Sequence, residues 1–154
     1  MMIKQQEELM MEAGTRTQPY ALKAGEGWIY RFGLDFMVKA SEIRAGSGVA
    51  VLEYTTAQGE EPPDHVHTTE DELFYVLDGA ISFRCGGQTF DLAEGGFIFL
   101  PCGIEHGYTI RSEEPVRLLV ITAPVGENSG GWGGFVADME LGQGELVATP
   151  QAPS

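Results

Sequence analysis

The chain has three histidines, and two of them fall in "DHVHTTEDELFYVLDG", residues 64–79. His65 and His67 are two apart and Glu72 follows five residues on. In an extended strand, side chains two apart leave the same side with Cα atoms about 6.6 Å apart, so both imidazoles can aim at one point. The short polar turn "TTED" then leads into a strand-forming run and can bring Glu72 to that side. The third histidine, His106, stands in "GGFIFLPCGIEHGYTI", just after a Pro-Cys-Gly turn between two strand-like pieces. Three imidazoles and a carboxylate are ligands for a divalent transition metal. A single histidine is more often a surface or satisfied core residue, so the weight rests on the three together.

The elements that must carry these residues read as strands. From Trp28 onward the sequence divides at Gly, Pro and Asp into nine short pieces: "WIYRFG", "DFMVKA", "GVAVLEYTT", "ELFYVLDG", "AISFRCGG", "QTFDLAEGG", "FIFLP", "HGYTI" and "VRLLVITAP". Alternation sets Ile81, Phe83 and Cys85 against Ala80, Ser82 and Arg84, whereas the last piece is apolar on both faces. Such a strand is covered on one side by the other sheet and on the other by a further segment or subunit. "Asp78-Gly79" and "Gly86-Gly87" suit tight hairpin turns. The expected fold is all-β: two antiparallel sheets closed into a barrel or jelly roll. A short helix is expected over residues 3–13. The division is an N-terminal extension over 1–24, a barrel over 25–125, and a glycine-rich arm and tail over 126–154, packed over the barrel and ending in a disordered "TPQAPS".

Composition narrows the function. A chain of 154 residues makes one ordinary domain. Its net charge of −14 repels phosphate backbones and anionic membrane surfaces, so neither nucleic acid nor membrane is an expected partner. Cys85 and Cys102 form no CxxC and are expected as buried free thiols. No secretory leader or membrane-spanning run stands out, which leads to a cytoplasmic expectation.

With these residues in place the chain resembles a cupin. The first cupin motif, G-x5-HxH-x4-E-x6-G, is matched by Gly59, His65, His67, Glu72 and Gly79; the second, G-x5-PxG-x2-H, by Gly95, Pro101, Gly103 and His106. Ile110 stands where the second motif often has Asn, a position that is not a ligand. The resemblance implies a double-stranded β-helix holding a divalent transition metal (Mn, Ni, Fe or Co, with Zn possible as purified) through His65, His67, Glu72 and His106. The motif spacing prefers Glu72 over Glu70 and Asp71, which with Asp64 are expected as solvated turn residues, and leaves Cys102 structural. The stretches "GEGWIY", "PPDHVHTTEDELFYVLDG", "FIFLPCGIEHGY" and "RLLVITAP" are most similar to quercetin-dioxygenase-like cupins. That similarity implies a metal-dependent 2,4-dioxygenase of flavonols in which Glu72 is ligand and base at once, taking the proton of an acidic enol before dioxygen adds to the activated ring.

Three neutral imidazoles, one carboxylate and a divalent ion leave a net charge of about +1, which suits an anionic oxygen ligand. Parity with the ligands puts Phe74 and Val76, and Tyr108 with Ile110, on the inner wall; Met37, Ile81, Phe83, Phe97 and Phe99 are further candidates for the substrate pocket. The expected partner is a small molecule. A non-catalytic metal or small-molecule module, and an isomerase or cyclase that uses no dioxygen, are the competing readings; no helix-turn-helix accompanies the barrel to make it a transcriptional sensor. A homodimer is expected from the resemblance and from the two-sided apolar strand at 116–123.

Overall fold

The computed structural model describes residues 18–126 and 131–150. The helix expected over 3–13 and the tail beyond 150 lie outside these residues. Nine strands coincide with the nine pieces of the sequence: β1 (Trp28–Phe32), β2 (Leu34–Ala40), β3 (Ala50–Thr56), β4 (Asp71–Asp78), β5 (Ala80–Cys85), β6 (Gln88–Ala93), β7 (Phe97–Leu100), β8 (His106–Ile110) and β9 (Val116–Ala123). A tenth, β10 (Glu145–Ala148), comes from the C-terminal arm. They form two antiparallel sheets, a seven-stranded one ordered β10-β1-β2-β3-β9-β4-β7 and a three-stranded one ordered β6-β5-β8. The fold is the expected all-β jelly roll.

The period of two in the sequence becomes a sandwich. Along β3 the buried residues are Ala50, Leu52, Tyr54 and Thr56, and along β9 Val116, Leu118, Val120 and Thr122. Cross-strand pairing puts Leu52 opposite Val120 and Tyr54 opposite Leu118, so these residues cover one face together. Ile81, Phe83, Tyr108 and Ile110 meet that face from the smaller sheet, with Phe74 and Phe83 5.1 Å apart between ring centres.

Two of the turns differ in kind. Gly86-Gly87 makes the expected β5–β6 hairpin, both residues at positive φ. Asp78-Gly79 does not make a hairpin: β4 pairs with β7 and β9, β5 with β6 and β8, so here the chain passes from one sheet to the other. Gly79 has φ +96°, and a Cβ there would lie 2.6 Å from Val116 Cγ1 and 3.0 Å from Val116 Cα, so the corner admits only glycine.

The arm is more structured than its glycine content suggests. A short helix α1 (Glu42–Ala45), capped by the Ser41 hydroxyl accepting from the Arg44 N–H, follows β2. A second helix, α2 (Gly131–Asp138), and a π-helical turn (Met139–Gln143) lead to β10, which pairs with β1. Among the described residues no helix is long and apolar enough to cross a membrane. The arm is tied down where the buried Glu140 meets Arg44 Nε at 3.4 Å and accepts from the Ser41 hydroxyl at 3.1 Å, while Arg44 also donates to the Tyr30 hydroxyl and lies over the Trp28 ring.

Burial outweighs the help from Ser41 and Arg44 and pushes the Glu140 carboxyl up from 4.5 to about 7. A carboxyl raised in the folded chain holds its proton more tightly there than when unfolded, so stability falls as pH rises from about 4.5 to about 7. At 1.36 kcal/mol per unit the full effect is on the order of 3 kcal/mol. Glu140→Gln, which imitates the protonated carboxyl, is expected to raise the unfolding midpoint at pH 8 and to change it little at pH 5; urea unfolding at the two pH values measures the difference.

Candidate metal centre

The histidine segment is not a continuous strand; it is an extended loop pinned to the start of β8. His65 and His106 exchange two backbone hydrogen bonds, each 2.9 Å, and the His67 carbonyl accepts from the Gly103 N–H at 2.8 Å. Gly103 lies in the turn after Pro101, so the second turn aims His106 and fixes the backbone beneath His67 as well. Glu72 follows at the beginning of β4, with its backbone between Thr122 of β9 and Leu100 of β7.

These elements bring His65, His67, Glu72 and His106 together: one ligand atom from each lies within 4.8 Å of all the others. The His67 and His106 rings are parallel with centres 5.0 Å apart, and His65 stands edge-on, 4.7 Å from both. Glu72 Oε2 lies 2.9 Å from His67 Nε2 and 3.1 Å from His106 Nε2. His67, Glu72 and His106 are buried and His65 is half-buried. The histidines hold Glu72 at about 2: burial pushes the carboxyl up, but His106 and His67 beside it outweigh that. The neighbouring carboxylate in turn raises the His67 imidazole above its usual value despite burial.

The donor set suits a cation. His65 Nδ1 lies 2.9 Å from the Pro63 carbonyl and His106 Nδ1 3.3 Å from the Ile104 carbonyl. A carbonyl only accepts, so each Nδ1 can carry a proton there, which leaves Nε2 as the nitrogen that faces the site; His106 Nε2 lies at hydrogen-bond distance, 3.1 Å, from Glu72 Oε2. Both ring nitrogens of the buried His67 lack a hydrogen-bond partner, Nε2 being close to Glu72 but not in line with it. The buried carboxylate needs positive charge beside it, and a divalent ion held by the same four donors would supply it.

Above the four donors lies a cavity of about 350 Å³ with mostly apolar walls, lined by Leu34, Phe36, Tyr54, Phe74, Tyr108, Trp132 and Phe135 among others. Of the pocket residues expected from the sequence, Phe74 and Tyr108 line it. Val76 and Phe83 are buried in the core and do not reach it. Met37 points to the other face of β2, where Phe36 and Val38 are the inward residues. Phe97 and Phe99 are 54% and 49% exposed, because Ile98 and Leu100 take the inward positions opposite Phe74 and Glu72. Alternation along β2 and β3 marks Phe36 and Tyr54; Trp132 and Phe135 come from the arm and carry no local signal. The Tyr54 and Tyr108 hydroxyls pair at 3.0 Å, and burial raises both phenols, Tyr54 strongly, so they stay protonated.

The remaining acidic and thiol residues also find places. Glu70 is not a solvated turn residue but fully buried, bonded to Thr122 and to the Gly133 N–H. Asp71 is half-buried and accepts from the Cys102 N–H at 2.8 Å, and Asp64 pairs with Arg84 at 2.7 Å. Cys85 is half-buried and Cys102 exposed, so neither is the buried thiol expected.

Residues 52–122 match the Cupin domain family. With two antiparallel sheets of this topology around a His-His-Glu-His cluster, the chain has the cupin fold. The solved structure of a predicted oxalate decarboxylase from Thermotoga maritima shares the fold, with a TM-score of 0.60 at 15% identity over 69% of this chain and 100% of that one. The chain is 32% identical over 105 residues to the Quercetin 2,3-dioxygenase of Bacillus subtilis, covering 68% of this chain. It spans 31% of that protein's length. A 61-residue stretch is 41% identical to the Thermoregulatory protein LcrF of Yersinia pestis, covering 38% of this chain and 21% of that protein.

His65→Ala and His106→Ala are each expected to leave a folded barrel that no longer retains a divalent ion through gel filtration, with circular dichroism and elemental analysis read on the same sample. Full metal occupancy in either variant would remove that histidine from the ligand set.

Proposed function

We propose that the chain is a metal-dependent dioxygenase of the quercetinase-like type, acting on a flavonol or another aromatic small molecule that carries an acidic enol. The observation that carries the reading is a buried carboxylate, flanked by three imidazoles, at the floor of an aromatic-walled cavity large enough for such a ligand. The sequence similarity to the Bacillus subtilis enzyme supports it. An ion held by His65, His67, Glu72 and His106 would act as a Lewis acid with coordination positions left over for ligand and dioxygen, as manganese, nickel, iron or cobalt would.

The protein's own groups divide the remaining work. Phe36, Phe74, Trp132 and Phe135 offer ring faces and edges to a flat ligand and exclude water. The protonated Tyr54–Tyr108 pair is a hydrogen-bonding handle for a ligand oxygen in otherwise apolar surroundings. Glu72 takes the hydroxyl proton of the ligand. A carboxylate is a weak base, so it matches the acidic hydroxyl of an enol conjugated to a carbonyl rather than an aliphatic alcohol. A second reading, a module that binds a small molecule without turnover, would use the same cavity and donor cluster.

The same reading includes a homodimer. On the outer face of the larger sheet, Phe99, Leu73, Ile121 and Val51 form one cross-strand row, with Phe97, Tyr75 and Leu119 beside it. Phe97, Phe99 and Tyr75 are exposed. A second copy would bury this face.

Oxygen uptake separates the readings: chain reconstituted with manganese, nickel, iron or cobalt is expected to consume dioxygen with at least one member of a flavonol panel, and absence of uptake with every ion would favour the binding module. Glu72→Gln is expected to lower turnover by roughly 10²–10⁴-fold while lowering metal content less; equal losses would leave Glu72 a ligand only. Light scattering at micromolar concentration is expected to give twice the chain mass, and half of that value for Phe99→Asp.

A further inference from the structure

Two side chains outside the metal-ligand set reach the site through α2. Glu70 is fully buried, and its carboxylate accepts from the Thr122 hydroxyl at 3.0 Å and from the Gly133 N–H, 3.0 Å to Oε2 and 3.2 Å to Oε1. It therefore sits on the exposed N–H groups of the first turn of α2, where a negative charge is favoured. Gly131, which opens the helix at φ +58°, presses on the site so closely that a Cβ there would lie 1.9 Å from His67 Nδ1 and 2.7 Å from Glu70 Oε1. Between Gly131 and Gly133 stands Trp132. Its indole N–H donates to Glu72 Oε1, and its ring packs 5.4 Å from Tyr54, 5.4 Å from Phe135 and 6.1 Å from Phe36.

The two oxygens of Glu72 thus have separate partners. Oε2 faces His67 and His106; Oε1 is held by an indole that is itself wedged among three aromatic rings. A carboxylate bonded at one oxygen only to a rigid donor keeps one rotation, and the other oxygen keeps one direction.

We propose that Trp132 is the positioning residue for Glu72, fixing the carboxylate so that Oε2 points among the three imidazoles, and that the buried Glu70 holds Trp132 in place by anchoring the start of α2. The proposal rests on the metal-centre reading above. Partners one step removed from a metal ligand typically contribute 10–100-fold to affinity, which sets the expected size of the effect.

The chain has two tryptophans, and Trp28 lies outside the cavity, over Arg44. Nickel is titrated into five forms of the full chain in competition with a chromophoric chelator: unmodified, W28F, W132F, E70A and the double variant E70A/W132F. Unmodified chain and W28F are expected to bind alike, and in W28F the emission of Trp132 should change with the same midpoint as the chelator signal. W132F should bind roughly 10–100-fold more weakly, and adding E70A to it should cost little more, whereas E70A alone should weaken binding about as much as W132F. Nickel binding by W132F at the unmodified affinity, or Trp132 emission that stays flat while the chelator reports binding, overturns the proposal and leaves the metal centre standing. An E70A loss that adds in full to that of W132F overturns the anchoring role. An unmodified chain that takes up no nickel, manganese, iron or cobalt overturns both the proposal and the metal centre.

Discussion

Three imidazoles and one carboxylate share a space less than 5 Å across, and three of the four residues are nearly closed to solvent. Burying the ionised oxygen among them is costly unless positive charge is shared with it. The arrangement makes physical sense around a cation. Much of the surrounding backbone then has an evident purpose: the Pro63 and Ile104 carbonyls take the outward protons of His65 and His106, and the backbone pairing of those two histidines keeps both loops in register.

The β-sandwich supplies the rigidity. Glu72 stands on the interior strand β4, paired on one side with β9 and on the other with β7, so its carboxylate starts from a backbone that has little freedom. The chain's passage between sheets at Gly79 brings β5 and β8 across from β4, which places Phe83 and Tyr108 under the cavity and leads β8 back to His106. The arm then closes the assembly from outside. β10 adds itself to β1, Glu140 meets Arg44 in the interior, and α2 delivers Trp132 to the one oxygen of Glu72 that the histidines leave over.

The ligand cluster was the most legible part of the sequence, because its members are chemically unusual and their spacings are short enough to be governed by local turns. The nine strands were legible for a similar reason: period-two alternation broken by glycine and proline. What failed to show was anything that depends on which face meets which sheet. Met37 and Phe36 are adjacent, and only the pairing of Phe36 with Tyr54 tells that Phe36 faces in. Phe97 and Phe99 look like core residues until β7 is paired with β4. Asp78-Gly79 has the composition of a hairpin but serves as a corner, a difference decided by Val116 far along the chain. Glu70 reads as a turn residue because the helix that its carboxylate caps begins at Gly131. Trp132, in a run of glycines, gives no periodic signal at all.

The central claim is that His65, His67, Glu72 and His106 clasp a single divalent ion. Anomalous diffraction from crystals of the chain grown with nickel or manganese, recorded at the absorption edge of the ion, tests it directly. The account predicts one strong anomalous peak about 2.0–2.2 Å from three imidazole nitrogens and one Glu72 oxygen. No peak among those four side chains, or imidazoles turned away from one another in the density, would contradict it.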